Sequence, residues 1–227
     1  MSLRLDAIVM MAPNTQTTAD IGCDHGKAGV ALLLTGKAKR VIFSDISAKS
    51  LEKTRNLVSA EGLLSRSSIR VGNGLSILEE GEAQAAIIAG MGGELIVGIL
   101  EADKQKSPDI LVLSCNTKPE TLRRWLCSNG YVIKDEELVA EDGRFYPVIL
   151  AVRGESGQLG DVEMELGPVL LKKKPEELKR LISIKIMKAI ENREKIRRFG
   201  TPKAKEKLSE LDEKIKIYKE VKEWLLR

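Results

Sequence analysis

The stretch Ala19-Asp20-Ile21-Gly22-Cys23-Asp24-His25-Gly26 decides how the rest of this chain is read. β-branched Thr17 and Thr18 lead into an acidic residue and two glycines, and a helix-like segment, Lys27 to Leu34, follows. This order reads as strand, tight turn and helix, the opening unit of a nucleotide-type α/β fold. Gly22, Gly26 and Gly29 do not match the G-x-G-x-x-G spacing of dinucleotide folds. Glycines accept φ > 0 and let a ligand approach the backbone. Asp20 and Asp24 would repel a pyrophosphate. An acidic turn suits a cofactor with a positive sulfonium and an amino group, such as S-adenosylmethionine. The alternative is a purely structural D-x-G turn, which many folds contain.

Outward from this turn the chain alternates strand and helix. Arg40 to Asp45 reads as a second strand ending in an acid, and a helix from Ala48 to Glu61 follows, with Ser47 as N-cap. Ser68 to Val71 is a third strand, closed by Gly72-Asn73-Gly74. The apolar run Ala85 to Ala89 is a fourth, followed by a helix from Glu94 to Ala102. Asp109 to Ser114 is a fifth strand, and the helix Glu120 to Asn129 ends at Gly130. Tyr131 to Val139 and Phe145 to Val152 are two further strands joined at Glu141-Asp142-Gly143. Apolar central strands imply a parallel sheet covered on both faces. Two consecutive strands at the end add an antiparallel hairpin, which separates a class I methyltransferase sheet from a plain dinucleotide fold. The expected fold is therefore α/β, a Rossmann-like, mainly parallel seven-stranded sheet with an antiparallel last strand.

Beyond Pro168 the character changes. Gly154 to Gly160 reads as a loop or boundary. Pro175 opens a helix to about Arg198, Gly200-Thr201-Pro202 breaks it, and a second helix runs to the C-terminus. In that second helix Leu208, Leu211, Ile215, Tyr218 and Leu225 keep the three–four spacing of a coiled-coil seam, interrupted at Lys222. A short turn between two such helices makes an antiparallel hairpin. The expected division is 1–168 for the cofactor domain and 169–227 for the hairpin.

Charge follows the same division. The net charge of +4 combines a balance of +9 in residues 169–227 with −5 in residues 1–168. A polyanionic partner for the C-terminal segment is one reading, and a solvated helical face is the other. Cys23, Cys115 and Cys127 form no C-x-x-C pair, and with one histidine no Cys/His zinc site is credible, so no metal is expected. Sparse, odd cysteines fit a reducing cytoplasm. Leu5, Ile8, Val9 and Ala12 form a short amphipathic helix before Pro13 rather than a signal peptide. No apolar run approaches the ~18 residues of a membrane span.

Ligands of open α/β sheets bind at the carboxyl ends of the strands. Asp45 ends strand two, where a carboxylate can accept both hydroxyls of a ribose. Asn73, just past strand three, is placed to contact an adenine ring, between Gly72 and Gly74. Gly90-Met91-Gly92-Gly93 follows the fourth strand, where glycines make room for a flat base and Met91 offers an adaptable apolar contact. The same glycines also suit a helix-start turn. His25 is attractive as a base but reads more simply as a hydrogen-bonded turn residue. Asp24 could bind a cofactor or take a proton.

Together these segments resemble a known family. They are Ala19 to His25, Ser44-Asp45-Ile46, Gly72-Asn73-Gly74-Leu75 and Ile88-Ala89-Gly90-Met91-Gly92-Gly93. Glu141 to Tyr146 and Leu166-Gly167-Pro168 add to them, followed by a charged helical hairpin. The chain is similar throughout to the bacterial tRNA (adenine-N1)-methyltransferases that modify adenine 22. The resemblance implies S-adenosylmethionine as cofactor and tRNA as partner. It implies cofactor contacts from Asp20 through His25, from Asp45 and Ile46, from Asn73, Gly74 and Leu75, and from Ala89 and Gly90. Met91, Gly92 and Gly93 would face the substrate base, Asn116 its edge, and Tyr146 is a candidate stacking platform. Asp24 and Asn116 are the candidate catalytic residues. Lys172, Lys173, Lys174, Arg193, Lys195, Arg197 and Arg198 are candidate phosphate contacts.

Two departures stand out. Ser114-Cys115-Asn116 replaces the family's Gln-Pro-Asn, and Asn73 replaces an aspartate. Rival expectations are a methyltransferase with a non-tRNA substrate, or a cofactor-binding protein without catalysis that pairs through the Leu208–Leu225 seam. Monomer and homodimer both remain open.

Overall fold

Apolar strand residues alternate between two cores, which sets the layers. In β4 (Ala85–Met91), Ala86 and Ile88 join one cluster while Ile87 joins the other. In β5 (Ile110–Cys115), Leu111 and Leu113 oppose Val112 in the same way. The computed structural model describes residues 2–198 and 201–227. The expected break at Gly200 lies outside the described residues.

The remaining strands are β1 (Thr15–Ile21), β2 (Ala38–Asp45), β3 (Ser67–Val71), β6 (Tyr131–Glu141) and β7 (Arg144–Arg153). Their order across the sheet is β3-β2-β1-β4-β5-β7-β6. β1 to β5 are mutually parallel, and β7 runs antiparallel between β5 and β6. The last strand is thus antiparallel, as expected, and lies inside the sheet while β6 forms the edge.

One face is covered by α1 (Leu3–Met11), α2 (Lys27–Leu34) and α3 (Ala48–Ala60), through residues such as Ile8, Leu33 and Val58. The other is covered by α4 (Gly93–Ala102) and α5 (Pro119–Ser128), through Ile96, Leu100, Leu122 and Leu126. Caps start two of these helices: Ser2 Oγ accepts the Leu5 N–H, and Ser47 Oγ accepts the Ser50 N–H, both at 3.2 Å. Chain order reverses between β1 and β4, which opens the crevice where ligands of such sheets bind.

Three differences from the expected elements have physical causes. β6 and β7 extend to a two-residue turn, because Asp142 and Gly143 both take positive φ (48° and 72°), as a type I′ hairpin requires. β4 runs past Ala89 to Met91 through a register shift against β5, with Gly90 at φ 82°. The stretch between Gly160 and Pro175, where no element is expected, carries α6 (Asp161–Leu166) and α7 (Pro168–Lys173), helices too short to show a period in sequence. A buried ion pair holds α6: Arg123 Nε donates to Glu136 Oε1 at 2.7 Å, and Arg123 Nη1 donates to the Met164 carbonyl. The Val169 N–H donates to Glu136 Oε2. Gly167 (φ 100°) is required here, since a Cβ would lie 2.7 Å from Glu136 Oε2.

The chain forms two compact units, residues 1–169 and 170–227. The second contains α8 (Glu176–Arg197) and α9 (Pro202–Leu226). Contacts between Lys174 and Trp224, Lys185 and Tyr218, and Arg193 and Asp212 make the two helices antiparallel. Ile215, Tyr218 and Leu225 of the seam are buried, and Thr201 Oγ1 caps α9 at the Ala204 N–H. Among the described residues no helix is long and apolar enough to cross a membrane.

Candidate functional site

The glycine turn after β1 is shaped by three acids with different tasks. Asp20 is buried at the end of β1, and its Oδ2 accepts the Gly29 N–H at 2.9 Å, an amide in the first turn of α2. Burial raises its carboxyl to about 6; the Gly29 N–H opposes the shift and the nearby Asp45 charge adds to it. Asp45 accepts two loop amides, from Asp24 N–H on Oδ2 (3.1 Å) and from Ser47 N–H on Oδ1 (2.8 Å). It thereby ties the glycine turn to the start of α3 and keeps spare lone pairs.

Asp24 sits at φ 49°, and its carboxylate meets His25 Nδ1 at 2.6 Å. His25 Nε2 lies 3.1 Å from Lys53 Nζ. An ammonium has no acceptor, so Nε2 receives and the proton of the neutral ring sits on Nδ1, facing Asp24. Cys23 Sγ lies against Thr54 Oγ1, and its N–H donates to the Ser44 carbonyl. Burial, then the Asp20 charge, pushes the Cys23 thiol up to about 12, so it is a packing group rather than a nucleophile.

These residues border a cavity of about 510 Å³. Asp20, Gly22, Cys23, Asp24 and His25 line one side, and Ala89, Gly90 and Met91 line another. The third wall is one the motif reading passes over: Ser2, Arg4, Leu5 and Ile8 of α1 and its cap. Lys27 and Ala28 complete it. α1 offers no sequence signal for this beyond its amphipathic spacing, because its placement depends on packing against α2 and the β5–β7–β6 side of the sheet.

The other expected cofactor residues lie at the same carboxyl edge but outside this lining. Ile46 is 72% exposed, next to Asp45, which is in register with the exposed Val71 of β3. Asn73 is exposed, and its carbonyl accepts from Ser76. Gly74 packs under Ile99, and Leu75 is fully buried, which leaves only its backbone for a ligand.

Among the residues expected to face the substrate, the Asn116 N–H donates to the Met91 carbonyl (2.7 Å) and Asn116 Nδ2 donates to the Gly90 carbonyl (2.6 Å). Gly92 precedes α4. Gly93 must be glycine, since a Cβ would lie 2.3 Å from the Lys118 carbonyl. Tyr146 is half-buried under the Arg4 guanidinium, 4.6 Å from its centroid.

In the second unit, Lys172, Lys173, Lys195, Arg197 and Arg198 are exposed. Lys174 instead lies on the Trp224 ring (3.9 Å) and donates to its carbonyl. Arg193 is paired with Asp212 and Glu194. Among the described residues no cluster of His, Cys, Asp or Glu could hold a metal ion, and Cys23, Cys115 and Cys127 are free thiols.

Comparison with known proteins agrees with this architecture. A family model described as a methyltransferase domain matches residues 1–149. The tRNA (adenine(22)-N(1))-methyltransferase of Bacillus subtilis is 34% identical, over 97% of this chain and 96% of its own length. The crystal structure of the B. subtilis tRNA methyltransferase TrmK superposes with a TM-score of 0.90 at 33% identity, covering 98% of each chain. Streptococcus pneumoniae Sp1610, solved in complex with S-adenosyl-L-methionine, gives a TM-score of 0.83 at 28% identity, over 98% of this chain and 99% of its own. Similarity of this extent, across both compact units, places the chain in the tRNA (adenine(22)-N(1))-methyltransferase family.

Proposed function

We propose that this chain transfers a methyl group from S-adenosylmethionine to N1 of an adenine in tRNA, at position 22. The observation that carries the proposal is the acidic glycine turn opening into the cavity, in a chain similar to the B. subtilis enzyme over 97% of its length.

The residues fit the cofactor. A cavity of about 510 Å³ lies within the ~300–1,000 Å³ usual for small-molecule sites. Its cationic sulfonium and ammonium groups suit a wall carrying Asp20 and Asp24, with Asp45 behind the turn. Asp45 would accept the ribose hydroxyls on its spare lone pairs. Ile46 would pack an adenine ring, and Asn73 with the Gly74 and Leu75 backbone would meet its edge. Bound there, the cofactor supplies an electrophilic methyl group on sulfur.

The chain's own residues do the positioning. Asn116, fixed against Gly90 and Met91, would hold the edge of the target base. The methylated ring is cationic, so no strong base is needed, and Asp24 would serve cofactor orientation or accept a proton. Tyr146 would stack only beside or beyond Arg4, which occupies one of its faces. Residues 1–168 would carry the chemistry and the +9 segment 169–227 would contact tRNA phosphates, in the cytoplasm where tRNA resides. Lys172, Lys173, Arg197 and Arg198 are exposed and suit that role better than the half-buried Lys174, which lies on Trp224, and Arg193, which is paired with Asp212 and Glu194.

The rival protein-pairing reading has less support, because the seam residues Ile215, Tyr218 and Leu225 are already buried within the chain. The deciding experiment is methyl transfer from labelled S-adenosylmethionine to unmodified tRNA, followed by nucleoside analysis. 1-Methyladenosine is the expected product. Cofactor binding without transfer to any tRNA would refute the proposal.

A further inference from the structure

Arg4 lies in α1, outside every motif and 112 residues before Asn116, yet it reaches that residue, the one placed at the base edge. Its Nη1 donates to Asn116 Oδ1 at 3.0 Å, and its plane covers Tyr146. The other end of the Asn116 amide donates from Nδ2 to the Gly90 carbonyl. An amide turned end for end would set NH₂ against a guanidinium and oxygen against a carbonyl. Both contacts would then be repulsive, so the pair Arg4 and Gly90 fixes the polarity of the side chain. Arg4 is itself held: the Leu3 N–H donates to Glu141 Oε1 at 2.8 Å, and Ala7, Ile8 and Val9 of the same helix are buried. Arg4, Gly90 and Met91 all line the cavity, and the exposed Asn116 is hydrogen-bonded to all three.

We propose that Arg4 is a positioning residue that locks Asn116 with Oδ1 as an acceptor facing the target base, selecting a Watson–Crick edge with an exocyclic amine beside the ring nitrogen. Oδ1 has two lone pairs; Arg4 takes one and leaves one for the amine. Guanine would present its carbonyl to the same oxygen and be repelled. This inference rests on the tRNA reading above.

The test compares tRNA transcripts carrying adenine or unsubstituted purine at the target position, under kcat/KM conditions, in wild type, Arg4→Ala, Arg4→Lys, Asn116→Ala and the double Arg4→Ala/Asn116→Ala. Purine lacks the amine and is also a weaker nucleophile, but the latter effect is the same for every variant and cancels in the comparison. The adenine-over-purine ratio should fall about tenfold from wild type to Arg4→Ala, the size of one hydrogen bond, and no further in the double variant. Arg4→Lys, which keeps a donor, should retain part of the ratio, and it answers the question if Arg4→Ala fails to fold.

An equal loss on both transcripts, or an unchanged ratio in Arg4→Ala, overturns the positioning role. A wild-type protein that binds cofactor but methylates neither transcript overturns the tRNA reading itself.

Discussion

Gly22 and Met91 meet at the cavity wall so closely that a Cβ on Gly22 would lie 2.0 Å from Met91 Cε. Gly22 also holds φ 64°. In Gly22→Ala the backbone strain costs about 1 kcal/mol, while the thioether, being flexible, swings into the space the cofactor needs. Cofactor affinity should fall at least ~10-fold with only a modest drop in melting temperature. Isothermal titration of Gly22→Ala and of Gly22→Ala/Met91→Ala separates the two effects: the second variant should regain much of the affinity. Equal weakness in both would assign the defect to the backbone alone.

Asp45→Ala removes the acceptor for both the Asp24 and the Ser47 amides. The expected result is a cofactor dissociation constant raised by about 100-fold, from two loosened loops and a lost ribose acceptor. Asp45→Asn keeps one good acceptor and should lie between. Unchanged cofactor binding in Asp45→Ala would remove this residue from the site.

Asp20 links function to pH. Its folded-state carboxyl titrates near 6 against an ordinary 3.8, so the folded protein holds this proton more tightly than the unfolded chain. The stability it contributes is complete below about pH 4 and is lost as pH rises through about 6. At pH 8 the buried charge costs on the order of 2–3 kcal/mol. Asp20→Asn keeps an acceptor for the Gly29 amide without that charge. It should melt higher than wild type at pH 8 and close to it at pH 4, while binding the cationic cofactor more weakly. A lower melting temperature at pH 8 would contradict this account of Asp20.

How much of this was legible depends on whether the signal is local. The turn from Asp20 to Gly26 could be read because glycine spacing and acid placement are local properties of the chain. The strands could be read because β-branched runs and apolar periodicity are too. That Asp20 is buried while Asp24 is exposed is set by the sheet around them, and both look alike in sequence. Arg4 was invisible for the same reason: a single arginine on an amphipathic helix carries no pattern until tertiary packing brings it to Asn116. The lysine run 172–174 reads as one basic patch, yet a turn at Lys174 (φ 52°) sends that side chain onto Trp224.

The thiols give a check on the cavity wall. Burial holds Cys23 near 12 and Cys115 near 11, so both remain protonated at pH 8. Cys127 is only half-buried. Iodoacetamide at pH 8 should modify Cys127 first and leave the other two until the protein unfolds, as read by peptide mass spectrometry. Rapid labelling of Cys23 in the native protein would mean that the turn around it is open.

The lysine run 172–174 yields a prediction that separates affinity from architecture. Lys172 and Lys173 are exposed, so each phosphate they neutralise releases condensed counterion when tRNA binds. Replacing both by alanine should reduce the slope of log affinity against log salt by about 1–2, by the ~0.7–0.9 per contact seen for nucleic acids. Lys174 is held by the Trp224 ring and carbonyl, so Lys174→Ala should lower the melting temperature of the hairpin and leave the salt slope nearly unchanged. Salt-dependent binding of unmodified tRNA, measured for both variants, decides the matter. A slope that drops with Lys174→Ala and not with the double variant would move the phosphate track onto the face that Trp224 covers.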